Sequence, residues 1–159
     1  MVHDYDLTGY KIFYTDASVG GVATGVAIYN YSDKTKQSFK LNFKSSSSFG
    51  ETLAILKAIQ QAKLHNHRKI VIFTDSLVAC LLLSKKRTQN YIICAIHKTI
   101  LEADFDRVTI IWTPSHKGIP GNETADELAK DALNSDDETH VNLTNEQALR
   151  SIKNEIYHK

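Results

Sequence analysis

The chain has 159 residues, 42% hydrophobic and 23% charged, with two prolines and seven glycines. This mixture fits one globular domain with its own core and excludes a collagen-like repeat, a long linker or a largely disordered chain. No apolar run approaches the ~18 residues of a membrane span, and residues 1–9 carry Asp4 and Asp6 where a signal peptide would be apolar. The net charge of +1 is unevenly divided: residues 134–159 hold three basic and five acidic side chains, leaving sixteen basic against thirteen acidic, a net of +3, over residues 1–133.

In chain order, Lys11 to Asp16 (KIFYTD) reads as a strand apolar on both faces, and Ser18 to Gly21 as a turn. Gly25 to Tyr31 and Ser38 to Phe43 follow as strands, the latter alternating Phe39, Leu41 and Phe43 with polar residues, so the three form a meander. The period then changes. Glu51 to Leu64 carries Ile55, Ala58, Ile59 and Ala62 on one helical stripe. Lys69 to Asp75 (KIVIFTD) is a strand buried on both faces. Leu77 to Ser84 and Asn90 to Ala103 are helical, separated by Lys85, Lys86 and Arg87. Arg107 to Thr113 is a fifth strand, and Asn122 is expected to cap a last helix reaching Leu133. The order implies an α/β fold with a mixed five-stranded sheet flanked by helices. Residues 1–133 form the domain, and 134–159 a polar tail in which Ala148, Leu149, Ile152 and Ile156 suit an amphipathic helix. Cys80 and Cys94 sit in apolar helical patterns without ligand spacing, and read as two buried thiols in a reducing, intracellular setting.

Several carboxylates do not fit a purely structural role. Two buried strands end alike, in Thr15-Asp16 and Thr74-Asp75. If the strands are parallel neighbours, both acids leave the sheet at its carboxyl edge, where α/β sites are built. Strands ~4.8 Å apart let two carboxylates bridge metal ions ~3.5–4 Å apart, a separation used in phosphodiester chemistry. The plainer alternative is that each Asp starts a turn with Ser18 or Ser76. Glu51 shares the apolar stripe of its helix, although Ser48-x-x-Glu51 is also a capping box. Asp126 lines up with Ala129 and Leu133 and faces inward, which is costly unless it is paired or bound to metal. His116, in a loop with Gly118, Pro120 and Gly121, would hang over the same edge, where a mobile proton acceptor is useful.

These residues carry a resemblance. Tyr14-Thr15-Asp16-Ala17-Ser18, Gly50-Glu51-Thr52-Leu53-Ala54, Phe73-Thr74-Asp75-Ser76 and the run from Ser115-His116-Lys117-Gly118 through Asn122-Glu123-Thr124-Ala125-Asp126 resemble type 1 ribonuclease H. The likeness is greatest to the domain carried by non-LTR retrotransposon polyproteins, and runs from about Tyr10 to Leu133. It implies the ribonuclease H-like fold, with three antiparallel strands followed by two parallel ones. It also implies an endonuclease that hydrolyses the RNA strand of RNA–DNA hybrids with two Mg²⁺ ions, Mn²⁺ substituting, and leaves 3′-hydroxyl and 5′-phosphate ends. Asp16, Glu51, Asp75 and Asp126 fall on the family's metal-binding carboxylates, and His116 on its loop histidine. Asp16 and Asp75 would be shared ligands, with Glu51 on the leaving-group side and Asp126 on the nucleophile side. Contacts to the hybrid are expected from Ala17, Ser18, Ser76, Lys117, Asn122 and the Lys85-Lys86-Arg87 connection.

Two features depart from the family pattern. Ala17 replaces the glycine common after the first Asp. Lys85, Lys86 and Arg87 form only a short connection where cellular relatives carry a long basic protrusion. An adjacent reverse transcriptase domain is therefore an expected partner for holding the duplex. The excess of positive charge over residues 1–133 suits phosphate contacts, which are salt-sensitive and independent of sequence. A catalytically silent hybrid-binding module of the same fold is the main alternative, and loss of a carboxylate would mark it. A small-molecule enzyme would need a glycine-rich phosphate loop, whereas Val19-Gly20-Gly21 leads into a strand.

Overall fold

The structure, a computed structural model, describes residues 7–114 and 118–135. β1 (Lys11–Val19), β2 (Thr24–Asn30) and β3 (Thr35–Leu41) form an antiparallel meander. β4 (Lys69–Thr74) and β5 (Arg107–Trp112) continue the sheet in parallel on the far side of β1, giving the order β3-β2-β1-β4-β5. Four helices flank it: α1 (Ser47–Leu64), α2 (Leu77–Leu83), α3 (Tyr91–Glu102) and α4 (Pro120–Ala132). This is the expected mixed α/β sheet.

The strand pleat divides the core in two. Phe13, Ile70 and Ile72 turn towards α1, joining Leu53, Ile55 and Ile59, with Ile92, Ile93 and Ile96 of α3 behind them. Tyr14, Val71 and Phe73 turn the other way, towards Ala125 of α4. Covered faces on both sides explain why these strands read as unbroken apolar runs. Each fully buried isoleucine contributes about 1.5–3 kcal/mol relative to exposure. Because α1 lies between the sheet and α3, its burial extends well beyond the expected stripe, to Phe49, Leu53 and Leu56.

Several boundaries differ from expectation for local reasons. β1 runs past Asp16 to Val19 because β2 continues to pair with it there, from Asp16↔Ala27 to Val19↔Thr24. Asp16 is therefore inside a strand, and Ser18 is not in a turn. β3 starts earlier than expected because Asn30 pairs with Thr35 across a tight turn, in which the Asp33 N–H donates to Asn30 Oδ1 at 3.0 Å. α1 starts at Ser47 and is capped by Ser46, whose hydroxyl accepts from the Phe49 N–H at 3.1 Å. Ser48 and Glu51 thus do not form the capping box. α4 begins with Pro120 after Ile119, without a side-chain cap, and Asn122 lies buried inside the helix. The paired buried thiols are also corrected. Cys80 is half-buried; Cys94 is exposed on α3, opposite its isoleucines, and its thiol donates to the Thr88 carbonyl at 3.3 Å. No helix among the described residues is long and apolar enough to cross a membrane. The amphipathic stretch expected around Ala148 to Ile156 lies outside the described residues.

Candidate active site

The parallel register of β1 and β4 pairs Thr15 with Thr74, so Asp16 and Asp75 follow at matching positions on neighbouring strands of the sheet. β4 ends at Thr74, whose Oγ1 accepts from the Ser76 N–H at 3.1 Å, and Ser76 then caps α2 by accepting from the Ala79 N–H at 3.1 Å. The Trp112 indole N–H donates to the Asp75 carbonyl at 3.3 Å and ties β5 to the same corner. Glu51 arrives from α1. The helix comes this close to β1 because Gly50 has no side chain: a Cβ there would stand 2.8 Å from the Ala17 Cβ and 3.2 Å from Thr24 Cγ2.

One carboxylate oxygen from each of Asp16, Glu51 and Asp75 lies within 4.8 Å of the other two. Asp16 is 3% exposed and Glu51 7%. Burial is the main force pushing the Asp16 carboxyl above its ordinary range, with repulsion from Asp75 and Asp126 added. Hydrogen bonds from Glu51 and the Ala17 N–H, the latter at 2.8 Å, act against that rise. Burial and then the Asp16 charge push Glu51 up further still. Asp75 is raised by burial first and by Asp126. Without a cation, burial and mutual repulsion therefore make each of the three acids hold its proton more tightly than an isolated carboxyl would.

Glu51 Oε2 is buried and has no hydrogen-bond partner among the described residues. A buried carboxylate oxygen left without a partner is costly. The three oxygens fit a hard divalent cation such as Mg²⁺ or Mn²⁺, which takes oxygen ligands.

The other expected site residues are distributed differently. Asp126 is not in the three-carboxylate group and does not face fully inward. Its side chain is 46% exposed and its Oδ2 lies 2.8 Å from Lys130 Nζ, one turn along α4. Its charge nevertheless reaches Asp16 and Asp75. Ala17 and Ser18 are half-buried in β1, and Ala17 packs under α1. Asn122 is 5% exposed with Oδ1 unpartnered among the described residues, a buried position rather than a surface contact. Lys85, Lys86 and Arg87 are all exposed between α2 and α3. His116 and Lys117 lie outside the described residues. Sequence reasoning missed Lys130, although its i,i+4 spacing from Asp126 was readable. It also missed Trp112, whose bond to Asp75 had no local signal.

A family model for RNase H matches residues 9–134, spanning every strand and helix described above. That length takes in both faces of the sheet and the edge where the acids meet, and the chain belongs to the RNase H family.

Proposed function

We propose that this protein is an endonuclease that hydrolyses the RNA strand of RNA–DNA hybrids. The observation that carries the reading is the buried group of Asp16, Glu51 and Asp75 with an unpartnered Glu51 oxygen. Family membership supports a nuclease acting on nucleic acid. Asp16 and Asp75 would be shared ligands of two Mg²⁺ ions, with Glu51 on the leaving-group side and Asp126 on the nucleophile side. Two bound divalent ions supply the positive charge that favours water ionisation and offsets the departing 3′-oxygen.

The chain's own residues have distinct tasks in this reading. Asp16 and Glu51, held by strand and helix, provide a preset, largely dry group of oxygens. The backbone around Asp75 is fixed by the Ser76 N–H, which donates to Thr74 Oγ1, and by the Trp112 indole, which donates to the Asp75 carbonyl. His116 would accept and return a proton as a mobile loop base, the role its motif position suggests. Lys85, Lys86, Arg87 and Lys117 would hold phosphates, and backbone near Ala17, Ser18, Ser76 and Asn122 would meet the hybrid. Selectivity for RNA must come from 2′-hydroxyl contacts and duplex shape. The likeness to retrotransposon domains and the short basic connection support a role in removing template RNA during reverse transcription, beside a reverse transcriptase domain.

The test is incubation with labelled RNA–DNA hybrid, duplex RNA and duplex DNA, in Mg²⁺ or EDTA. The expected result is cleavage of the hybrid's RNA strand in Mg²⁺ only. Equal cleavage of duplex DNA, or hybrid cleavage that survives EDTA, would overturn the reading.

A further inference from the structure

Lys130 has no part in the chemistry above, yet its ammonium is bonded to Asp126, whose charge reaches Asp16 and Asp75. Its Nζ lies 2.8 Å from Asp126 Oδ2, and its side chain is 64% exposed. It also feels the charge of Asp16 on β1. Asp126 is thus held by a cation of the chain's own while the other three acids crowd together without it.

Movement of α4 does not offer Asp126 an easy way inward, because the helix is pinned on both sides of that residue. Before it, Gly121 lies against the Tyr14 ring, and a Cβ at 121 would overlap its Cδ2 and Cε2 atoms. Tyr14 is itself stacked on Phe73 of β4 with ring centroids 5.0 Å apart. After it, the Ala129 carbonyl rests on Gly25 of β2, where a Cβ would overlap the carbonyl oxygen. Contacts this close leave the helix axis little room to shift. Asp126 can therefore join the other carboxylates by rotating its side chain, and that rotation breaks the bond to Lys130.

We propose that Lys130 is a placeholder cation, which holds Asp126 until a second divalent ion displaces it and so sets the metal concentration the enzyme needs. This inference rests on the reading of Asp126 as a fourth ligand. A divalent ion at the site competes with Lys130 for Asp126 and is repelled by its charge. Both effects are exposed to solvent, so they are modest and fade with added salt. Removing the charge should strengthen the weaker metal-binding step roughly three- to tenfold at low ionic strength.

The experiment is a Mn²⁺ titration of the full chain without nucleic acid, read by the paramagnetic resonance of free Mn²⁺. It compares wild type, Lys130→Met, Lys130→Arg, Asp126→Asn and the double variant Asp126→Asn/Lys130→Met. Lys130→Met should tighten the weaker site about three- to tenfold, and Lys130→Arg should restore wild-type affinity. In the Asp126→Asn background the gain should fall below about twofold, because the contest for the carboxylate has gone. The half-saturating Mg²⁺ concentration for hybrid cleavage should fall with Lys130→Met in the same proportion. Unchanged affinity in Lys130→Met, or an equal gain in both backgrounds, overturns the proposal. If Asp126→Asn binds like wild type, both the fourth-ligand assignment and this inference fail. If the titrations behave as stated but no hybrid is cleaved, the nuclease reading fails and the placeholder stands.

Discussion

Arg68, at the amino edge of β4, donates through Nε and Nη2 to both oxygens of Asp106 at 3.1 and 2.9 Å, and through Nη1 to Asp104 at 2.9 Å. All three side chains are exposed, and Arg68 holds the Asp106 carboxyl below its usual range. At the carboxyl edge of the same strand, Asp16, Glu51 and Asp75 crowd together, two of the three buried and none of them ion-paired among the described residues. One end satisfies its charges with partners and solvent, while the other accumulates like charges away from water. A protein selected for stability alone would avoid the second arrangement. The contrast locates the end whose carboxylates could hold a cation.

The largest expected effect comes from removing one charge at the crowded edge. Asp75→Asn keeps the shape of the corner and the backbone bonds of Ser76 and Trp112 there, yet takes away a proposed metal ligand and a source of repulsion. Hybrid cleavage should fall below detection. In EDTA, however, the variant should melt higher than wild type, on the order of 5 °C. Mg²⁺ should raise the wild-type midpoint by binding only the folded state, and raise the variant's less. A variant that melts lower than wild type in EDTA would mean that Asp75 serves chiefly to shape the turn.

pH separates the two ends as well. Asp16, Glu51 and Asp75 have raised values, so between the ordinary carboxylate range and those values the folded state binds more protons than the unfolded one. Stability then falls as pH rises through that window. Asp33 and Asp106 have lowered values, so their contributions are lost only in stronger acid. His67, half-buried and depressed, contributes stability that grows as pH rises from its lowered folded value to its unfolded value, and so opposes the trend with a single group. In EDTA the midpoint should therefore be higher at about pH 5 than at about pH 8, by several degrees. Saturating Mg²⁺ should flatten the slope. A midpoint that rises from acid to alkaline pH in EDTA would show that the acids are not strained.

A smaller effect tests how α1 delivers Glu51. Gly50→Ala adds a methyl against Ala17, and overpacking of this kind costs about 1–3 kcal/mol. The helix foot must lift, so activity should fall even where the variant is fully folded. Ala17→Gly in the same background should recover stability and cleavage together. Recovery of stability without cleavage would separate Glu51's position from the packing beneath it.

Much of this architecture was legible because the packing repeats in the residue pattern. KIFYT and KIVIFT lack alternation because helices cover both faces, and the shared Thr-Asp endings become neighbours through the Thr15↔Thr74 register. Where reading failed, the deciding contact came from elsewhere in the chain. Asp16 looked like a strand end because the pairing of Val19 with Thr24 is set by β2. The preference for Ser46 over Ser48 as the α1 cap is one of backbone geometry, among four consecutive serines. Asp126 looked inward from its stripe, but a half-exposed carboxylate found Lys130 within its own helix. Cys94 sits among isoleucines in sequence yet on the opposite side of α3 from them. Patterns report the face of an element well; they do not report which neighbour wins a contested polar group.

The smallest effect is expected at the satisfied end. Arg68→Ala removes a forked pair and a second carboxylate contact, but every partner remains in water and can be hydrated instead. Exposed pairs of this kind spend much of their attraction on ordering two side chains. The midpoint should move by no more than about 2 °C, and hybrid cleavage should be unchanged, since the site is at the other end of β4. Added salt should shrink even that difference. The Asp106 and Arg107 N–H groups also donate to the Arg68 carbonyl, at 2.7 and 3.2 Å, and Arg68→Ala keeps both bonds. That backbone link explains why the loop before β5 should stay in place without the guanidinium. A drop beyond about 5 °C would make the side-chain fork a clamp on the sheet's amino edge, and charge pairing there would then be structural rather than incidental.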